Sequence, residues 1–396
     1  MHVMLLHSRP FEFGKTVGGV PEFLTAITVE LMQLGIQVSV YAGDKFATSI
    51  RETFLPGHDI KIYHGPLLQP SFFISRKKIK MISALCHREK VDLLHSQGTY
   101  TPGFMVRELA RMTSLPYIIT SHGDLHPVNS KRLHRRSVRL RCQRILREAT
   151  WVTHLTPVME TASHHVLDTR LKSSRIHNGI HLANWLPYQT SQEKNYLLGI
   201  GRLERGKGFH ILIEMYAELI KRGVTSSLVI AGTGQEEQAL RAQCQMLGLE
   251  TLSGWPLAEI PEKCVIFAGY VRDQLKYQLI AESQCVLFAT QPDLWEEAFG
   301  IVQLEAMAAG KPLVASDIAA TRYLINLGMQ AKLVAPQQVL AWADQVEGLI
   351  NHAELRAAMG KANAAASHQF SWQGVAKRYQ EVYRAVLTGL PNGLKA

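Results

Sequence analysis

Two carboxylates eight positions apart, Glu297 and Glu305, dominate the stretch EEAFGIVQLEAMAAGKPLVAS that begins at Glu296. Between them, Phe299-Gly300 opens an apolar run with helical periodicity. A charge inside such a run must be answered by something, and a ligand is the expected partner. Eight residues of helix rise ~12 Å, so the two acids would reach different parts of one elongated ligand. Backbone N–H groups at Phe299 and Gly300, at a helix start, would add a place for an anion. The plainer alternative is a capping carboxylate followed by a solvated glutamate, but IVQLEAMAAG leaves little polar face for it.

Cations with matching chemistry lie upstream. Gly201-Arg202-Leu203 ends one strand-like run, and Lys207-Gly208 opens the next helical pattern. A forked guanidinium, an ammonium and a helix N-terminus together suit a diphosphate; two solvated loop cations are the alternative. Gly18-Gly19 also precedes a helix, where the backbone can approach an anion or simply turn. Gly232-Thr233-Gly234 begins like a dinucleotide fingerprint but has no third glycine, since Glu237 stands there, and reads as a tight turn. His122, in Thr120-Ser121-His122-Gly123-Asp124, falls at the carboxyl end of a strand. There it can donate to a sugar hydroxyl or act as a structural hydrogen-bonder. No Asp-x-Asp or Cys-x-x-Cys motif occurs, so neither a metal nor a bound cofactor is expected.

These residues need strand ends to hold them. Short buried-type runs predict strands near 2–7, 36–42, 60–63, 92–96, 117–121 and 151–155, alternating with helices near 19–34, 75–88, 103–113, 130–148 and 157–166. A second series has strands near 196–201, 227–232, 264–268, 285–289, 312–315 and 331–334. Its helices fall near 208–222, 235–247, 273–282, 300–309, 318–326, 338–351, 353–366 and 372–388. Strand–helix alternation twice over predicts an α/β chain with two parallel sheets covered on both faces, and ligands at the carboxyl ends of the strands. The break falls in ANWLPYQTSQEKN, 183–195.

A chain of 396 residues with 46% hydrophobic and 19% charged residues fits a two-lobed globular enzyme. No apolar run reaches the ~18 residues of a membrane span, and the start MHVMLLHSRP reads as a first strand rather than a signal peptide. Five isolated cysteines suit a reducing compartment, so a cytoplasmic location is expected. The net charge of +10 is uneven: residues 1–190 hold 24 Lys/Arg against 13 Asp/Glu, and residues 191–396 hold 19 against 20.

GRLERGKG at 201–208 and EAFGIVQLEAMAAGKPLVAS at 297–316 resemble the retaining glycosyltransferases of GT-B family four. The early Gly-Gly, His122-Gly123, Asn178-Gly179-Ile180 and the closing FSW at 370–372 follow in that family's order, so the likeness covers essentially the whole chain. The resemblance implies the GT-B fold, two Rossmann-like doubly wound lobes facing a central cleft. An acceptor-side lobe at 1–188 would be rejoined by a final helix at 371–389, and a nucleotide-sugar lobe would occupy 189–370. It further implies that Arg202 and Lys207 hold the donor diphosphate, with the backbone at Phe299 and Gly300. Glu305 would take the ribose, and Glu297 hydroxyls of the transferred sugar. Gly18-Gly19 would close over the phosphates, and His122 would touch the sugar or reaction centre. The nucleobase would lie near Tyr270-Val271-Arg272. The co-substrate would be a nucleoside-diphosphate sugar, used without a metal. Two departures stand out: His181 where the linker motif usually has Asp, and Trp295-Glu296 before the first acid, which bears on sugar identity.

Residues 131–147 carry eight Lys/Arg and no acid, and Arg132, Arg135, Arg136 and Arg139 have the spacing of one helical face. Arg76, Lys77, Lys78 and Lys80 add a second cluster. An anionic membrane surface or a phosphorylated glycolipid acceptor would suit them, as would plain solvation. Nucleic acid fits less well, because no aromatic-rich motif accompanies the charge. The leading expectation is a retaining hexosyltransferase of bacterial surface glycan, lipopolysaccharide or glycolipid synthesis, peripheral to the membrane. The alternatives are a GT-B epimerase or phosphorylase, or a non-catalytic sugar-nucleotide or lipid-binding module.

Overall fold

The computed structural model describes residues 1–12, 18–70, 75–167, 171–189 and 192–389; of the expected boundary segment 183–195, positions 190 and 191 lie outside the described residues. The chain divides into two compact units, Met1–Gly179 with the chain from Trp372, and Ile180–Ser371.

The first unit is built on an eight-stranded sheet in the order β3-β4-β2-β1-β5-β6-β7-β8. Its strands are β1 His2–His7, β2 Gln37–Asp44, β3 Arg51–Phe54, β4 Lys61–Pro66, β5 Leu93–Gln97, β6 Tyr117–Ser121, β7 Trp151–His154 and β8 Ser173–Arg175. All pairings are parallel except β3 with β4. Every residue of β1, β5, β6 and β7 is buried, as strands covered on both faces must be. The covering helices are α1 Gly19–Gln33, α2 Arg76–Arg88, α3 Thr101–Thr113, α4 Arg136–Glu148 and α5 Pro157–Leu167.

The second unit carries seven parallel strands, β9 Tyr196–Ile200, β10 Ser227–Ala231, β11 Glu250–Ser253, β12 Cys264–Gly269, β13 Cys285–Phe288, β14 Leu313–Ser316 and β15 Ala331–Val334. Their order is β11-β12-β10-β9-β13-β14-β15. Its helices are α6 Phe209–Lys221, α7 Glu237–Met246, α8 Asp273–Ala281, α9 Ile301–Ala308, α10 Ala319–Asn326, α11 Val339–Ile350 and α12 Ala353–Ser367. The first strand sits in the middle, with β10 on one side and β13 on the other. The order reverses between β9 and β13, so their carboxyl ends splay and leave a crevice there.

The last helix, α13 Trp372–Thr388, belongs to the first unit. Its buried face stacks Trp372 and Tyr379 edge-on against Phe23 of α1, at 5.7 and 5.8 Å. The Tyr383 hydroxyl meets His95 Nδ1 at 2.7 Å, and His95 Nε2 meets the Thr120 hydroxyl at 2.7 Å. These bonds satisfy polar groups inside an otherwise apolar core.

Three expectations change. The short strands β3, β8 and β11 are edge pieces with few or no buried residues, so no apolar run announces them. The helix expected over 130–148 is broken: Lys131–His134 forms a 3-10 turn, Arg135 is extended (φ −80°, ψ 118°), and α4 starts at Arg136. Leu133 and Val138 are both buried, five positions apart, a spacing that no single helix face offers. Arg132, Arg135, Arg136 and Arg139 therefore do not share one helical face.

Candidate functional site

The crevice at β9 and β13 collects most of the residues singled out in the second half of the chain. After β9 the backbone runs Gly201–Glu204, makes a 3-10 turn at Arg205–Lys207 and enters α6 through Gly208. Gly208 has φ +74°, and a Cβ there would lie 1.9 Å from the Ala289 carbonyl oxygen, so no other residue fits without moving the loop after β13. A Cβ at Gly206 would lie 2.6 Å from Trp295 Cβ. The Gln291 amide donates to the Gly206 carbonyl at 2.8 Å. The loop after β9 and the loop after β13 are thus packed backbone on backbone.

This packing places charge. Lys207 Nζ forms an ion pair with Glu297 Oε2, both largely shielded from solvent. Arg202, more than half exposed, pairs with Glu204 at 2.5 Å. The Trp295 ring lies by both cations, 5.4 Å from Arg202 Cζ and 5.6 Å from Lys207 Nζ. Gly300, with φ +81°, caps α9 with no side-chain hydrogen bond, so Glu297 is not the helix cap. Phe299 turns its ring into the core, 6.3 Å from Phe370, and offers a ligand only its backbone. Glu305 lies within α9, 7% exposed, and its Oε1 accepts from Lys276 Nζ of α8 at 2.5 Å. It is therefore not the solvated glutamate of the plainer alternative. Glu296 is also buried; burial first, then the charge of Glu297, holds its carboxyl above the usual range.

Lys276 escaped the sequence reading. In DQLKYQLIA it has the look of an ordinary surface lysine, and only its reach to Glu305 distinguishes it. Tyr270 and Arg272 follow β12 and are exposed, whereas Val271 between them is buried. Gly232 and Gly234 make the tight turn that their sequence suggests: added Cβ atoms would meet the Gly201 and Leu203 carbonyl oxygens at 1.8 and 2.3 Å.

In the first unit, His122 follows β6, with Nε2 2.9 Å from Gln97 Oε1 and its ring edge-on to Phe23 at 5.0 Å. Burial, with His7 nearby, pushes its pKa down to about 3. His7 is lowered to about 4 by burial, then by Arg9. His7 ends β1 and Gln97 ends β5, so both stand with His122 at the carboxyl edge of the sheet. Neither was singled out from sequence, since only strand order makes them neighbours. Asp124 braces the turn, accepting from the Thr99 amide at 2.5 Å and the Ser121 hydroxyl at 3.1 Å. Gly18, with φ +131°, caps α1 without a side-chain bond, and Gly19 is the helix's first residue.

The basic clusters have cations at helix starts. Arg136 and Arg139 occupy the first turn of α4, and Arg76, Lys77 and Lys78 that of α2; neither turn holds an acid. Arg139 also donates to the His165 carbonyl at 3.0 Å, so part of its charge is spent on α5. Among the described residues, no group of three or more His, Cys, Asp or Glu is placed to hold a metal ion, and no helix is long and apolar enough to cross a membrane.

Comparison with known proteins covers both units. Residues 17–184 match the family described as Glycosyltransferase Family 4, and residues 187–366 the one described as Glycosyl transferases group 1. The chain is 29% identical over 193 residues to a D-inositol 3-phosphate glycosyltransferase of Corynebacterium urealyticum, covering 48% of this chain and 42% of the relative. It is 32% identical over 195 residues to a phosphatidyl-myo-inositol mannosyltransferase of Mycobacterium leprae, covering 48% and 47%. The matches thus span less than half the length of these curated relatives. In fold it is similar to sucrose-phosphate synthase from Thermosynechococcus elongatus, with a TM-score of 0.77 at 17% identity over 98% of this chain and 100% of that one. It is also similar to Anabaena Alr3699/HepE in complex with UDP-glucose, with a TM-score of 0.73 at 20% identity over 97% and 100%.

Proposed function

Because the chain belongs to the GT-B glycosyltransferases of the family-four, group 1 type, we propose that it moves a hexose-type sugar from a nucleoside-diphosphate sugar to an acceptor hydroxyl, with retention and without a metal. The observation that carries this reading is the meeting of Arg202, Lys207 and Glu297 at the neighbouring carboxyl ends of β9 and β13, with Glu305 buried in α9, the helix that follows Glu297. As the bond between the anomeric carbon and the diphosphate oxygen breaks, negative charge grows on the departing phosphate. Arg202, Lys207 and the N-terminus of α9 would stabilise it. Lys207 is already paired with Glu297, so it exchanges one anion for another while Glu297 turns to the sugar hydroxyls. Glu305 would hold the ribose, and the segment Tyr270–Arg272 the base. The acceptor proton would pass to the leaving phosphate on the face where the new bond forms. Two relatives named for inositol-containing acceptors and a structural neighbour holding UDP-glucose support this class of reaction.

NMR of the reaction with UDP- and GDP-hexoses and a mixed hydroxyl acceptor tests it. The expected product keeps the donor's anomeric configuration. Isomerised donor without transfer would instead identify an epimerase, and inverted linkage would remove the claim of retention.

The acceptor is a surface glycan or glycolipid precursor, reached by a cytoplasmic protein that docks on an anionic membrane face. The support is electrostatic. Cations at a helix N-terminus oppose the helix dipole, at ~0.3–1 kcal/mol each, yet α2 and α4 both start with them. A polybasic surface gains about 1 kcal/mol per cation at an anionic bilayer. Flotation should recover the protein with anionic vesicles and much less with neutral ones; equal recovery would defeat this part of the proposal.

A further inference from the structure

We infer that Trp295 is a positioning residue of the diphosphate site: its indole ring, within reach of both Arg202 and Lys207, limits where the two cations sit around the leaving phosphate. The inference rests on the donor-site reading above and assigns a task that neither the two cations nor the two glutamates perform.

Each cation has a carboxylate of its own, Glu204 for Arg202 and Glu297 for Lys207. Ion pairing alone would therefore let the two drift apart, each toward its own acid. The ring of Trp295 is the group they share, at 5.4 and 5.6 Å, inside the ~6 Å range of a cation–π contact. When a phosphate draws the ammonium and guanidinium from their carboxylates, the ring remains within reach of both. A flexible lysine and arginine would otherwise lose rotamer freedom on binding, and a ring that limits their positions beforehand reduces that loss.

The placement of the ring is built in. Gly206 lies against it so closely that an added Cβ would fall 2.6 Å from Trp295 Cβ. The Trp295 amide donates to the Gln291 carbonyl at 2.9 Å, and the Gln291 amide in turn donates to Gly206. The indole is therefore fixed from below by the same turn that delivers Lys207. Its own N–H has no hydrogen-bond partner among the described residues, although it is buried. A tryptophan kept where its polar atom goes unanswered serves through its ring.

The test compares affinity for UDP and GDP with that for UMP and GMP, by calorimetry, in wild type, Trp295→Leu and Trp295→Phe. Loss of the two cation–π contacts at this partly exposed site corresponds to ~10-fold in affinity. Trp295→Leu should weaken diphosphate binding by about that factor and leave monophosphate binding within twofold, while Trp295→Phe, which keeps a ring face, should retain most of the diphosphate preference. Gly206→Ala, which pushes the ring away without removing it, should reproduce the leucine result. Equal loss for mono- and diphosphate would mean that Trp295 only packs the loop, and unchanged diphosphate affinity in the leucine variant would equally overturn the inference. If wild type binds neither UDP nor GDP, the donor-site reading itself falls and takes this inference with it. If wild type prefers the diphosphate and the leucine variant prefers it by the same factor, only the inference fails.

Discussion

Glu305 concentrates the argument at the scale of single residues. A carboxylate 7% exposed within an apolar helix needs a partner, and Lys276 supplies it. Glu305→Ala removes the proposed ribose ligand and leaves the ammonium without that carboxylate. Hydrogen bonds to charged groups are worth about 1.5–3 kcal/mol, so the variant should lose stability of that order in denaturant titration and also lose nucleotide-sugar affinity. Lys276→Met combined with Glu305→Ala should recover part of the stability and none of the affinity. Recovery of both would mean that the pair is purely structural. Glu305 was legible because it is charged where its neighbours are greasy. Lys276 was not, because a lysine on an amphipathic helix carries no sign of whether its amine reaches solvent or a buried acid.

At the scale of elements, the site depends on two loops pressed together by glycine. Gly208 has both a left-handed backbone and the Ala289 carbonyl where its Cβ would be. Gly208→Ala should therefore cost ~3 kcal/mol or more, combining positive-φ strain with a backbone clash. It should also displace Lys207; a melting temperature within a degree of wild type would show that the two loops are not packed as described. The buried strands were readable because parallel strands covered on both faces are continuous apolar runs. The edge strands β3, β8 and β11 were not, since they bury little and their pairing comes from neighbours remote in sequence. The break at Arg135 was hidden for a related reason. The helical pattern over 130–148 suggested one continuous helix, while the buried pair Leu133 and Val138 lies on two pieces.

Across the whole molecule, charge and histidine are distributed unevenly, and this has a consequence for pH. In the first unit burial lowers His95, His122 and His154 to about 3 and His7 and His177 to about 4. In the unfolded chain these groups titrate near the ordinary ~6.5. Between ~6.5 and the folded values the unfolded state binds more protons, so stability rises with pH through that window and is lost as pH falls. Each histidine contributes up to about 1.4 kcal/mol per pH unit there. Calorimetry from pH 7 to 5 should show the first unit's transition falling well ahead of the second's, where, among the described residues, His210 is lowered to about 4. Parallel shifts of the two would contradict these assignments. The central claim, that the second unit grips one, is tested most directly by a thermal-shift panel of UDP, GDP, ADP and CMP and their sugars on wild type and on Lys207→Ala. Since a ligand that binds only the folded state raises its melting temperature with occupancy, one nucleoside diphosphate and its sugar should raise that of wild type and have little effect on the variant. A panel in which none of them shifts wild type, or in which Lys207→Ala shifts as fully, would contradict the account.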